Sequence, residues 1–427
     1  LLDWLRWLYE HLEYVVKAGG TTTASFSALA GILIGDPASP ILWILFLSDL
    51  NLDELPDDLT LAGRVVNHLE FADDSAIMTS SVQALVPKNL QFRRYCAGSF
   101  VEIGDPKSQA AVFGALPNEF PSLSVSETPI AFVPTITLVG VTFTSTAHNV
   151  LKDHYLRKET TARNMANSCL ALEGFVGPVP PTILLSLYQA RVDPHLVAGC
   201  EVALDVRPTA LAGLERVQHT YLRRLLGLGP RSQRAPLFSE TGVWPLRFRR
   251  AWLAVRYLAY LLRQRPPIPY SALQEAWTLA TQGHPSWYSD LRHALRALPV
   301  PVLLPMTPFP TEGMVRDLLG AIEDALAQHI YTEVQQSGRL PLIKARFDRL
   351  PSPIKLKDVC KKQAYLTVTN AAHRESLVRL LTSDHKLAVE ELRRLPPAEA
   401  VPHLHRICHF CRRRGAVEDE VHVLVEC

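Results

Sequence analysis

Two adjacent carboxylates, Asp73 and Asp74, close the stretch Phe71-Ala72-Asp73-Asp74 between apolar flanks, and few local folds accommodate such a pair. Upstream lies the partly β-branched run Arg64 to Glu70, and downstream the strand-like Ser75-Ala76-Ile77-Met78. The pattern predicts a β-hairpin with the acids at or near its tip. Successive strand residues face opposite sides of a sheet, so both carboxylates reach one locus only at a bend. Beside apolar strands they are costly unless a cation compensates. The simpler alternative is a solvated turn, where Asp is common.

Around this hairpin, residues 1–145 read as α+β with short antiparallel strands. Leu1, Leu5, Leu8, Leu12, Val15 and Val16 recur at helical spacing up to Lys17, and Gly19-Gly20 stops the helix. Residues 31–40, Gly-Ile-Leu-Ile-Gly-Asp-Pro-Ala-Ser-Pro, form a loop. The next seven, Ile41 to Leu47, are apolar on every side, which predicts a helix buried in a core. A third helix is expected over Ser80–Cys96, kinked or interrupted at Pro87. The turn Gly104-Asp105-Pro106-Lys107-Ser108 feeds a strand at Ala110–Phe113, and Thr135–Phe143 reads as one strand. Its central Gly140 marks a bulge or a close backbone approach.

After residue 146 strand signals fade. Helices are expected roughly at 150–173, 182–200, 208–226 and 246–265, with Gly/Pro breaks at residues 177–181 and 227–230. Residues 266–311 read as a Pro-rich linker with one or two short helices, followed by helices over Val315–Gln336 and Leu377–Leu395.

A chain of 427 residues favours two or three domains. Its net charge of +2 conceals a partition. Residues 1–145 carry 7 Lys+Arg against 16 Asp+Glu, whereas residues 146–270 carry 17 against 8, a basic segment suited to a polyanion. The alternative is a chance partition of solvated helix faces. Seven cysteines are too few for a disulfide scaffold. Cys96, Cys169, Cys200 and Cys360 read as isolated buried thiols in a reducing, intracellular setting, nuclear or cytoplasmic. Neither a signal peptide nor an 18-residue apolar run is visible, so no membrane association is expected. Both ends read as cut, since the chain starts inside an amphipathic pattern and stops inside a motif.

That motif is Cys408-x₂-Cys411-x₁₀-His422-x₄-Cys427. Three thiolates and one imidazole make a closed tetrahedral zinc set, and Arg406 and Arg412 to Arg414 beside it suit a nucleic-acid contact. Buried thiols with a chance His are the alternative. His403, His405 and His409 read as surface residues. No P-loop, dinucleotide fingerprint or Gly-x-Ser-x-Gly elbow is present.

The order of these motifs resembles the palm and thumb of reverse transcriptases, most closely those of non-LTR retrotransposons. It runs from a Gly-Asp-Pro-x-Ser-Pro loop and a helix to Phe-Ala-Asp-Asp, Gly-Asp-Pro-Lys-Ser, a Leu-Val-Gly strand and a basic helical segment. Arg-Leu-Leu-Gly-Leu-Gly-Pro at residues 224–230 and Glu240-Thr241-Gly242 to Pro245 are similar to the thumb region of that family. The resemblance covers roughly residues 20–265 and the extreme C-terminus.

It implies a partial palm at 1–145, a helical thumb at 146–265, a Pro-rich linker with helices at 266–400 and a zinc-knuckle-like segment at 401–427. The implied activity is RNA-directed DNA polymerisation by two-metal nucleotidyl transfer, with Asp73 and Asp74 on Mg²⁺ or Mn²⁺. Gly35, Asp36, Pro37 and Ser39 would lie against nucleotide and template, Lys107 near the triphosphate, and Gly140 in the hairpin gripping the primer end. The implied partners are an RNA template, a DNA primer and deoxynucleotides. The sequence departs from the family in three ways: only Asp3 precedes the Gly-Asp-Pro loop where the first catalytic Asp would lie well upstream, the fingers are missing, and Ile34 stands in place of a Gln. The expectation is therefore a truncated chain, inactive alone, with a catalytically inactive nucleic-acid-binding remnant as the alternative.

Overall fold

Four of the helical periods expected after residue 146 convert almost residue for residue into helices. In the computed structural model, which describes residues 2–27, 31–33, 35–104, 107–125, 127–411 and 415–427, they span Lys152–Ala171, Pro208–Leu225, Leu246–Gln264 and Glu312–Gln336. Local chemistry fixes several starts. Pro208 occupies the first helical turn, where its missing N–H costs nothing. The Thr311 side chain accepts from the Met314 N–H and so caps the 25-residue helix Glu312–Gln336.

Helix accounts for 51% of the chain and strand for 10%, so the mixed α+β protein is dominated by helix packing. Chain contacts divide it into two units. The first comprises Leu1–Leu59, Val65–Ser108 and Pro117–Ala131; the second comprises Thr60–Arg64, Gln109–Leu116 and Phe132–Cys427.

In the first unit, the strands His68–Phe71 and Asp74–Ile77 pair antiparallel with Phe71 opposite Asp74. The turn is therefore Ala72-Asp73, with Ala72 left-handed at φ 54°. The first helix stops at Glu10, and Lys17–Ala18 pairs with Thr21–Thr22 across the two expected glycines. Pro87 falls in the first turn of the helix Leu85–Gly98, where no earlier carbonyl is left unpaired, so it does not interrupt the helix. Lys88 is fully buried and paired with Asp58 at 2.8 Å.

The helix Ser39–Leu47 does not sit in a core as its composition predicts. Only Ser39 is buried, while Ile41, Ile44 and Leu45 are 62%, 68% and 62% exposed. An all-apolar helix signals burial only where neighbours exist on every side. Here the contacts are the Trp43 indole N–H donated to the Ala72 carbonyl at 2.5 Å and the Tyr95 hydroxyl donated to the Phe46 carbonyl at 3.1 Å. Strands pair only two by two among the described residues, so no continuous palm-like sheet forms there.

In the second unit one apolar core runs from Tyr155 to Val378. The helix Lys152–Ala171 packs on Pro208–Leu225, and Leu246–Gln264 packs on Glu312–Gln336. The Pro-rich stretch carries the helices Pro267–Thr281 and Trp287–Arg296, whose Leu273, Tyr288, Leu291 and Leu295 belong to that same core. Pro267 begins a helix, and the Pro305 carbonyl accepts the Tyr288 hydroxyl at 2.7 Å.

The expected strand over residues 135–143 is instead a hairpin. Thr135–Leu138 pairs with Val141–Thr144, and the turn is Val139-Gly140 with φ 47° and 76°. Gly140 thus supplies a left-handed turn residue, and a Cβ added there would meet nothing within 4 Å. Neither a bulge nor a close approach explains it.

The expected helix 182–200 is interrupted by a wide turn at Tyr188–Val192 and a restart at Asp193-Pro194. That over 377–395 ends at Leu381 and resumes at Ala388–Glu391, with Ser383 left-handed at φ 53° between them.

A charge network anchors this core. Arg250 is 2% exposed. Its Nε donates to both Asp205 carboxylate oxygens at 3.0 and 2.9 Å, and its two terminal nitrogens to the Leu196 and Ala203 carbonyls at 2.8 and 2.9 Å. The four isolated cysteines, Cys96, Cys169, Cys200 and Cys360, are all buried and free.

Candidate metal centre

The Cys/His motif is assembled by a short hairpin-like loop. Ile407 bridges Val417 antiparallel, the Cys408 N–H donates to the Ala416 carbonyl at 2.9 Å, and the Glu418 N–H donates to the Arg406 carbonyl at 2.9 Å. Gly415, left-handed at φ 78°, helps turn the chain back. The chain then enters a wide helical turn, His422–Glu426, that delivers the second ligand pair.

Four ligand atoms converge: the three sulfurs and one imidazole nitrogen of Cys408, Cys411, His422 and Cys427 all lie within 4.8 Å of one another. Cys408 Sγ is 4.0 Å from Cys427 Sγ, and Cys411 Sγ is 3.2 Å from His422 Nε2. A tetrahedral zinc site with bonds of about 2.3 Å has ligand–ligand edges of about 3.8 Å. The set can therefore close on one tetrahedral ion with sub-ångström shifts.

The ligands differ in how readily they give up a proton to a metal, Cys408 most easily and Cys427 least. The Cys411 backbone N–H, aided by that of Phe410, draws the Cys408 thiol down to about 7. Desolvation and the neighbouring Cys408 push the Cys427 thiol up to about 11. The Glu426 carboxylate, 3.3 Å from His422 Nδ1, pushes the imidazole up to about 9. With Nε2 turned to Cys411, Nδ1 is left for Glu426, the carboxylate–histidine arrangement that orients a ligating ring. Glu426 was missed by motif reading. The signal that finds it is its position four residues after His422, on the same face of a helical turn.

Among the described residues, this is the only group of three or more Cys, His, Asp or Glu with metal-ligand proximity. Asp73 sits in the hairpin turn and Asp74 opens the second strand, both exposed, and no third carboxylate joins them among those residues.

Asp36 shapes its own turn, accepting the Ala38 N–H on Oδ1 at 3.1 Å, and Gly35 is left-handed at φ 89°. Pro37 is exposed, whereas Ser39 is buried and donates to the Leu33 carbonyl at 2.6 Å. Lys107 is exposed, its N–H donated to the Gly104 carbonyl at 3.1 Å. Asp105, Pro106, Ile34 and the arginines at 412–414 lie outside the described residues. Gly140 belongs to the second unit, in the Val139-Gly140 turn.

Beside the Cys/His set, Phe410 is 77% exposed in the Cys408–Cys411 loop. No helix among the described residues is long and apolar enough to cross a membrane. No protein-family model matches the chain, and no curated protein matches it.

Proposed function

We propose that the chain is part of an RNA-directed DNA polymerase of the non-LTR retrotransposon type, with a palm in its first 145 residues, a basic helical thumb at 146–265 and a zinc-holding knuckle at its C-terminus. The observation that carries this reading is the Phe71–Asp74 hairpin. It places Asp73 in the turn and Asp74 at the start of the second strand, both exposed, and it follows the Gly-Asp-Pro loop and precedes the basic helices in the order that the resemblance requires.

In the chemistry this implies, a primer 3′-hydroxyl attacks the α-phosphate of a deoxynucleotide, and divalent ions stabilise both the attacking and the leaving oxygens. Asp73 and Asp74 would be ligands to those ions. Lys107 would offset charge on the triphosphate. The basic segment would track the phosphate backbone of template and primer. Zinc at Cys408, Cys411, His422 and Cys427 would have a structural part, ordering a loop whose exposed Phe410 and flanking arginines suit single-stranded nucleic acid.

A second reading is favoured by one specific observation, the lack of a third carboxylate beside Asp73 and Asp74 among the described residues. It is a nucleic-acid-binding chain without catalysis. The test is extension of a DNA primer on an RNA template with Mg²⁺ or Mn²⁺, alongside binding measured against salt. Extension that Asp73→Asn abolishes, with binding retained, supports the polymerase reading. Salt-dependent binding with no extension supports the second. Binding that does not weaken linearly in log affinity with log salt refutes both.

A further inference from the structure

Between the knuckle's two ligand pairs lie two buried acids. Glu418 and Glu420 are 4% and 3% exposed, and their carboxylates turn away from the Cys/His set. Glu420 Oε1 accepts the Ser383 hydroxyl at 2.6 Å and lies 2.9 Å from His385 Nε2. Glu418 accepts the Ala388 N–H on its side chain at 3.3 Å and the Val389 N–H on its carbonyl at 3.1 Å. Arg406, just before Cys408, donates to the Val389 carbonyl at 2.8 Å.

The segment they hold is in turn bolted to the helical body. The Ser383 hydroxyl oxygen accepts the Leu340 N–H at 3.1 Å, and the Ser383 carbonyl accepts from the Arg339 guanidinium. Its neighbour Asp384 accepts the Gly229 N–H at 2.6 Å and is paired with Arg394 at 2.9 Å. Five residues earlier in the chain, Arg379 donates to the Gly227 carbonyl at 3.0 Å. A path of hydrogen bonds and covalently adjacent residues therefore runs from Glu420, two residues before His422, through Ser383 and Asp384 to the turn at Gly227–Pro230.

We propose that metal loading of the Cys/His set governs the order of the Gly227–Pro230 turn, making the knuckle a lock of the helical body rather than a tethered module. The proposal rests on the metal reading of that set and goes beyond it. Without an ion, the strand pairing that closes the loop from Cys408 to Cys427 is the short one around Ile407–Val417, and a lone two-stranded pairing is marginal in water. Glu418 and Glu420 then lose their fixed positions, and Ser383, itself left-handed at φ 53°, loses the acceptor that holds it. Asp384 is the adjacent residue. Partly satisfied buried polar networks are costly, so the relay holds or releases as a unit.

The test is hydrogen–deuterium exchange on the full chain, with zinc bound and after chelation, with zinc content measured in parallel. On zinc removal, exchange at residues 227–232 and 383–391 rises at least about tenfold, the effect of losing a hydrogen bond to a charged acceptor, while residues 322–334 stay protected. A chain that binds one zinc but changes only over residues 403–427 overturns the proposal and leaves the metal reading intact. A chain that takes up no zinc overturns both. In Asp384→Ala, zinc is still bound but exchange at Gly229 no longer responds to it. A Gly229 response that persists in that variant also refutes the relay.

Discussion

Glu426→Gln tests the metal centre at the point where its geometry is most specific. Glu426 touches no ligand position except through His422, whose Nδ1 lies 3.3 Å from Oε2 while Nε2 faces Cys411. If Nε2 ligates, removing the carboxylate's charge weakens both the ring's orientation and its basicity. Substitutions of this kind cost about 10–100-fold in metal affinity, or about 1.4–2.7 kcal/mol. The 3.3 Å distance and the 58% exposure of the Glu426 side chain place this protein at the lower end, near tenfold. Competition against a chromophoric zinc chelator reads the change directly, with Cys408→Ser as the variant that lacks a ligand. Unchanged affinity in Glu426→Gln would refute the orienting role. Equal affinity in Cys408→Ser would refute the tetrahedral set altogether.

Two further outcomes follow from buried charge. Arg250→Met takes from Asp205 its buried cation and from the Leu196 carbonyl its donor, leaving the Tyr155 hydroxyl on Asp205 and the Ala203 carbonyl, and chemical denaturation should show a loss of about 3 kcal/mol; a loss below about 1 kcal/mol would refute the network's role. Burial alone would push the Asp58 carboxyl up, but the hydrogen bond and charge of Lys88 and the Leu55 N–H outweigh it and hold the group below its ordinary value. A depressed carboxylate contributes stability that is full above about pH 4, the unfolded value, and lost as pH falls through the folded one. Acid titration of the wild-type chain should therefore show a loss below about pH 4 that Asp58→Asn lacks.

Much of the helical unit is written in its sequence because each long helix has one apolar face and recognisable ends. Leu211, Leu214, Val217, Leu222 and Leu225 mark a single stripe that is buried as the period demands. Where geometry comes from partners rather than period, the sequence is silent. Val139 at φ 47° is a β-branched residue in a conformation its own preferences oppose, so the break within residues 135–143 carried no local signal beyond Gly140. The helix Ser39–Leu47 shows the converse, since hydrophobicity alone does not say how many sides have neighbours. The Cys/His set was legible because thiols at fixed spacing have few other uses. Its acidic relay was not, because Glu420 and Ser383 are joined only in three dimensions.

The bond between Gly229 and Asp384 spans 155 residues of chain. At about 5–20 residues per second, a ribosome takes about 8–30 s to make that stretch. The helices on either side of the turn emerge and collapse long before its acceptor exists. During that interval a nascent chain carries an open turn over an otherwise apolar core, and its last forty residues are the ones that finish the body made first. A stop codon in that tail would thus open a turn whose own codons are intact.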